Sequence, residues 1–289
     1  MQKKAVALGN FDGLHIGHKE VIKNALSCKN DGLLPYALLF GEHPLSVIGQ
    51  TPPRVLMTHD LKIERLRAIG LSVVEFRFGE VMNMAPETFV ADILNQRLHA
   101  AAVCCGYNYR FGKGAAAGSG DLQRLCSRYG IRTLVSGEVA LGGEAVSSTR
   151  IRRLIERGEI EKANTMLGRP FSYKLTVIRG DQRGRTMSFP TLNQRFPDGM
   201  TVPLRGVYAS ATRVDGVWKK SVTNIGVRPT VAAAEPGVLS ETHIPGFDGS
   251  LYGKAVEVEL LRYIREERRF GSLDELKAQM RADTLNALR

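Results

Sequence analysis

Cysteines, aromatic residues and long apolar runs are all scarce in this 289-residue chain. The four cysteines, Cys28, Cys104, Cys105 and Cys126, form no CxxC pair, and no histidine stands at metal-ligand spacing from them. This excludes a zinc ribbon and a disulfide-stapled scaffold, and it predicts reduced, buried thiols acting as small apolar side chains. Aromatics make up 7% of the sequence, with one tryptophan. That is poor material for a surface that stacks nucleic-acid bases. The longest apolar stretch, residues 33–40, is interrupted by Pro35 and falls far short of the ~20 residues of a membrane-crossing helix. No signal peptide is read, because Met1-Gln-Lys-Lys is followed by four small apolar residues and then Gly9. A cytoplasmic protein with neither a membrane nor a nucleic-acid partner is expected. GxxxxGK[ST] and GxGxxG are both absent, which excludes P-loop NTPases and enzymes with the dinucleotide fingerprint.

What is present is ordinary globular composition, 43% apolar and 24% charged, at a length of about two domains. Lys and Arg number 40 against 29 Asp and Glu, for a net charge of +11. The excess is spread evenly, with 22 basic against 16 acidic residues up to Pro170 and 18 against 13 after it. Such a balance suits a protein that handles polyphosphates, and equally a nucleic-acid binder, so charge alone does not choose.

Short apolar runs at residues 5–8, 36–40, 72–76 and 101–105 alternate with helical patterns at 15–26, 59–69, 86–98 and 121–129. Alternation of this kind predicts a doubly wound α/β domain with a parallel sheet. Two more helices, 149–158 and 160–167, run up to Gly168 and Pro170, which set the boundary between domains 1–168 and 169–289. Beyond it, strand-like segments at 173–179, 206–213, 218–227 and 255–263 with Gly- and Pro-rich connections predict a small β-barrel. Ser272-Leu-Asp-Glu275 has capping-box spacing and opens a closing helix.

The first motif, Gly9-Asn-Phe-Asp-Gly-Leu-His15-Ile-Gly-His18, lies between the first strand and the first helix. Open α/β sheets bind phosphates there, on backbone N–H groups and the positive helix end. Gly9, Gly13 and Gly17 allow close backbone approach, and His15 and His18 share a helix face. Two imidazoles can donate hydrogen bonds to a leaving pyrophosphate, which is what nucleotidyl transfer requires. Within Val146-Ser-Ser-Thr-Arg-Ile-Arg152, Ser147 or Ser148 can cap, Thr149 can bond phosphate and Arg152 lies one turn in. The loop Gly106-Tyr-Asn-Tyr-Arg-Phe-Gly112 offers Asn108 and aromatics to a planar ligand. In the second half, Gly180-Asp-Gln-Arg-Gly184-Arg185 leads into Phe189-Pro190-Thr191-Leu-Asn193. Glycine N–H groups and arginine suit phosphate, and the oxygens of Thr191 and Asn193, two residues apart, can reach one Mg²⁺.

GxFDGxHxGH, GxNxxFG and SSTxxR, in this order, resemble the Rossmann-like nucleotidyltransferase domain of bifunctional bacterial riboflavin kinase/FAD synthetases. The segment 180–193 is similar to the GxxxGRxxGFPTAN element of the riboflavin kinase β-barrel. Thr223-Asn-Ile-Gly226, Glu241-Thr-His-Ile244 and Arg265-Glu-Glu-Arg-Arg-Phe270 follow in family order. The resemblance covers nearly the whole chain and implies riboflavin, FMN and ATP as substrates, with Mg²⁺ as cofactor. It implies His15, His18 and Arg152 as catalytic in adenylyl transfer, on a nucleotide site of Gly9, Phe11, Asp12, Gly13, Gly17, His43, Ser148 and Thr149. Asn108 and Phe111 would bind the flavin there. In the kinase, Gly180, Gly184, Arg185, Phe189 and Pro190 would hold the nucleotide and Thr191 and Asn193 the metal. Glu241 would accept the proton of the ribityl hydroxyl.

The chain departs from the family pattern at Ser188, usually glycine, at Leu192, usually alanine, and at Gly41-Glu-His43-Pro44, which more often has an extra proline. Ser188 loses the positive-φ freedom of glycine, and Leu192 adds bulk beside the metal pair. The alternative they leave open is an FMN adenylyltransferase with a weakened kinase. A flavin- or RNA-binding regulator on the same scaffold is a second alternative, against which the even charge and few aromatics speak.

Overall fold

The computed structural model describes residues 2–41, 44–47, 49–180, 189–227 and 237–288. His43, Gly184, Arg185 and Ser188 lie outside the described residues. The chain forms two compact units, Met1–Pro53 with His59–Ser148, and Arg54–Thr58 with Thr149–Arg289.

In the first unit, β1 (Lys4–Leu8) is followed by α1 (Ile16–Ser27), β2 (Leu34–Phe40), α2 (His59–Ala68), β3 (Ser72–Phe76), β4 (Ala100–Gly106), α3 (Ser119–Ser127) and β5 (Arg132–Ser136). The strands form one parallel sheet in the order β3-β2-β1-β4-β5. Ala5 to Leu8 of β1 and Ala102 to Cys105 of β4 are buried, as central parallel strands covered on both faces must be. The edge strands β3 and β5 are each only half covered. The sequence pattern did not reveal β5, because Arg132-Thr-Leu-Val-Ser136 has neither a continuous apolar run nor clean alternation. The helix expected over 86–98 begins with one turn at Pro86–Thr88 and continues as the wider π form over Phe89–Arg97, with Leu98 N–H bonding back five residues to Ile93. All four cysteines are free and buried, and burial pushes the thiols of Cys104 and Cys105 up to about 12 and about 11. They are protonated and inert at neutral pH.

The chain then forms α4 (Ser148–Glu156) and α5 (Ile160–Leu167). The division of the two units falls in the first turn of α4, leaving Ser148 with the first and Thr149 with the second. In the second unit, β6 (Phe171–Ile178), β7 (Thr191–Arg195), β8 (Gly206–Val214), β9 (Val217–Val227), β10 (Val238–His243) and β11 (Ala255–Arg265) close an antiparallel barrel in the order β6-β7-β10-β9-β8-β11. Within this unit, Asn164 of α5 donates to the Leu260 carbonyl at 2.9 Å and accepts from the Phe171 N–H at 2.6 Å. The last helix, α6 (Leu273–Leu288), is tied to β11 by Arg265 and Asp283, whose Nη2–Oδ2 and Nε–Oδ1 contacts are 2.6 and 3.0 Å.

The barrel interior is unusually polar for a small domain. Ser210 and Thr223 share a 2.8 Å bond, Thr223 and Thr242 a 2.9 Å bond, and Tyr173 reaches Ser240 at 2.5 Å. All are buried, and a hydroxyl can both donate and accept, so these pairings offset desolvation.

Two candidate active sites

In the first unit, the chain leaves β1 at Leu8 and turns sharply before α1. Phe11 and Leu14 hold left-handed φ of 51° and 45°, and Gly13 lies between them at 81°. Phe11 and Leu14 pay for that conformation through burial of their side chains. The turn delivers His15 to the N-cap of α1, where its Nδ1 accepts from the His18 N–H at 3.3 Å. An accepting Nδ1 puts the His15 proton on Nε2, which makes that edge a donor. The two imidazoles stack at 3.6 Å between centroids and 16° between planes, with Phe11 edge-on to His18 at 5.4 Å. A Cβ at Gly17 would come within 3.2 Å of the His15 ring.

His18 is half-buried, and its fully buried Nδ1 has no hydrogen-bond partner among the described residues. Burial, then the neighbouring His15 and Lys62, hold its pKa well below the ordinary histidine value. His18 is therefore neutral near pH 7. Lys62 was not singled out from the sequence, where it is one of several charges on α2. In the structure its ammonium donates to the Asn10 carbonyl at 3.0 Å and feels both His18 and Asp12. Burial lowers its pKa, and Asp12 opposes the shift. Ser148 donates to the Asp12 carbonyl at 2.9 Å and so closes the turn from the other side.

The loop after β4 splits its aromatics. Tyr107 is exposed and donates to Glu138 at 2.7 Å, and Asn108 is exposed beside it. Phe111, expected to bind a planar ligand, is 6% exposed in the core, with Tyr109 stacked on it at 5.9 Å and Phe89 at 5.7 Å. Thr149 and Arg152 sit on α4, with Arg152 Nη1 3.5 Å from Thr149 Oγ1.

In the second unit, a cavity of about 240 Å³ is lined by Gly180, Pro190, Thr191, Asn193, Phe247 and Tyr252, among others. Strand alternation sets Thr191 and Asn193 on one face of β7. Asn193 is 5% exposed, and its Oδ1 has no hydrogen-bond partner among the described residues. A Cβ at Gly180 would lie 2.6 to 2.7 Å from the Asn193 amide, so only a bare backbone fits against this side chain. An orphaned carbonyl oxygen beside a threonine is a fitting donor set for a hard cation that keeps most of its ligands from water and phosphate. Leu192 packs against the apolar cluster of Val177, Ile244, Leu251 and Val256 and also lines the cavity. Phe189 lies edge-on to His243 at 5.1 Å, and His243 Nδ1 is 3.0 Å from the Pro190 carbonyl. Glu241 stands in β10 directly across from Asn193 in the ladder. It lies on a strand and not in a loop.

A family model described as FAD synthetase matches residues 1–150, and one described as riboflavin kinase matches residues 167–289. A bifunctional riboflavin kinase/FMN adenylyltransferase of Listeria monocytogenes is 34% identical, over 97% of this chain and 90% of that protein. The enzymes of the same description from Bacillus subtilis and Escherichia coli K12 are each 33% identical, covering 99% and 98% of this chain and 92% and 91% of theirs. A crystal structure from Streptococcus pneumoniae described as a macrolide-efflux protein superposes with a TM-score of 0.86 at 25% identity, over 100% of this chain and 95% of that one. No helix among the described residues here is long and apolar enough to cross a membrane. With both domain types in order along the chain and about one-third identity across nearly its whole length, the chain belongs to the bifunctional riboflavin kinase/FMN adenylyltransferase family.

Proposed function

We propose that residues 169–289 phosphorylate riboflavin to FMN and that residues 1–168 adenylylate FMN to FAD, in the cytoplasm and with ATP as the donor for both steps. The observation that supports this reading is a stacked His15–His18 pair at the start of α1 in one compact unit and a cavity lined by Thr191 and Asn193 in the other.

In the kinase step the ribityl 5′-hydroxyl attacks the γ-phosphorus of ATP, Glu241 accepts its proton, and ADP leaves. A carboxylate beside the alcohol steers such an in-line attack. Thr191 and Asn193 would hold magnesium, which when bound with ATP gathers phosphate charge. Gly180, Gly184, Arg185, Phe189 and Pro190 would cradle the nucleotide.

In the adenylyl step a phosphate oxygen of FMN attacks the α-phosphorus of ATP, and pyrophosphate departs. A neutral His18 and the Nε2–H of His15 act as hydrogen-bond donors to the leaving oxygens, and Lys62 adds charge. By the family resemblance, Thr149 and Arg152 are further donors to phosphate. The turn from Gly9 through Phe11, Asp12 and Gly13 to Gly17, with His43 and Ser148, would shape the nucleotide pocket. Asn108 would face the flavin, supported from beneath by the buried Phe111. No covalent enzyme intermediate is needed.

Incubation with ATP and Mg²⁺ tests the pair of reactions. Riboflavin should yield ADP and FMN, and FMN should yield equimolar FAD and pyrophosphate. Pyrophosphate without ADP would remove the kinase half of the proposal.

A further inference from the structure

Consecutive strand residues point to opposite sides of a sheet. On β7, Asn193 lines the cavity, and Gln194 after it turns into the barrel, fully buried across from Ser240. The two ends of the Gln194 amide are used unequally. Its Nε2 donates to the Leu175 carbonyl at 2.6 Å and to the Val256 carbonyl at 2.8 Å. Its Oε1 is buried and has no hydrogen-bond partner among the described residues. Leu175 of β6 and Val256 of β11 face each other across their own ladder, so one amide ties three strands together.

The tie falls at a short seam. β7 meets β10 through five register pairs, from Thr191–His243 to Arg195–Leu239. With β6 it has two among the described residues, Val177–Gln194 and Ile178–Asn193. Two residues beyond Ile178 stands Gly180, against which the Asn193 amide packs so closely that a Cβ would lie 2.6 to 2.7 Å away. Pairing over two residues is little to hold so close a contact, since each main-chain hydrogen bond contributes only a small net stability. The two further bonds from Gln194 draw β7 onto β6 and β11 at that point.

We propose that Gln194 is a positioning residue for the cation site, its amide strapping β7 in place from inside the barrel so that the Asn193 carbonyl oxygen stays at the cavity. The inference rests on the kinase reading of the second unit, in which Thr191 and Asn193 would hold magnesium. Gln194 is closed off inside the barrel and acts through the backbone it shares with Asn193. Only the donor half of its amide is engaged, so a side chain of the same length without a donor fills the space and loses the strap. Groups that orient a metal's ligands change its affinity roughly ten- to a hundredfold when they are removed.

The test uses the full-length chain and its Gln194→Met and Gln194→Glu variants, with Mn²⁺ as the probe and ADP present. Mn²⁺ binding, read from water-proton relaxation, should weaken at least about tenfold in Gln194→Met. FMN formation should show the same shift in metal requirement, with kcat restored at saturating Mg²⁺ and KM for riboflavin unchanged. In Gln194→Glu, burial raises the carboxyl pKa, and the protonated acid donates to one of the two carbonyls. Tyr173, bonded to the opposite Ser240, stays protonated because burial pushes its pKa up. Metal affinity of Gln194→Glu should therefore be near wild type at low pH and fall relative to it as the carboxylate forms, a limb that Gln194→Met lacks. Hydrogen exchange in Gln194→Met should quicken at Thr191–Arg195 while β8 and β9 stay protected, which shows the barrel folded. Unchanged Mn²⁺ affinity in Gln194→Met, no pH limb in Gln194→Glu, or lost protection throughout the barrel would overturn the positioning role and leave the kinase reading intact. A wild-type chain that makes no FMN would overturn the kinase reading and this inference together.

Discussion

At the residue scale, the two sites depend on side chains whose environments are set by one or two neighbours. His18 is the clearest case, since burial and two adjacent bases disfavour its charged form. Unfolding would free an imidazole that takes up a proton near pH 6.5. Its contribution to stability is therefore full above that pH and is lost as pH falls toward the depressed folded value. A histidine ¹³C titration should show His18 neutral at pH 6.5, and a midpoint at or above 6.5 would contradict the assigned environment. Gly180 is a second case. Alanine there would intrude on the Asn193 amide at 2.6 Å, and displacing a positioned group by about 1 Å costs on the order of a hundredfold in rate. Gly180→Ala should cut FMN formation by about that factor while FAD formation from FMN stays unchanged, as measured by initial rates of each step. Equal loss of both activities would mean that the substitution acts through folding.

At the element scale, the parallel sheet and its helices were legible wherever burial left an apolar run or a 3.6-residue pattern, as in β1, β2, β4 and α1. Three strands were not legible. β5 is a half-covered edge, and β7 and β10 present Gln194, Ser240 and Thr242 to a barrel interior built on hydroxyl pairs. Apolar alternation cannot mark a strand whose inward face is polar. The site motifs were legible because they punctuate strand ends, whereas Lys62 was hidden because only the packing of α2 brings it to Asn10. Phe111 shows the reverse case, an aromatic that the sequence offers to a planar ligand and that the fold places in the core. Closure of α6 onto the barrel rests on Arg265 and Asp283, whose side chains are 22% and 6% exposed. Removing one partner of a mostly buried, bidentate pair costs about 3 kcal/mol. Asp283→Ala should lower the denaturant stability of the second unit by that amount, and a loss below about 0.5 kcal/mol, typical of surface changes, would show that α6 is held by other contacts.

At the scale of the whole molecule, the even spread of the +11 charge fits two polyphosphate sites better than one basic face. The chain is read as two enzymes in series, the product of one being the substrate of the other. The most direct test is chromatographic separation of the flavins formed from riboflavin, ATP and Mg²⁺ by wild type, His18→Ala and Glu241→Ala. Wild type should accumulate FMN and then FAD. His18→Ala should stop at FMN, and Glu241→Ala should leave riboflavin untouched yet convert added FMN to FAD. Loss of both steps in either folded variant would contradict the account.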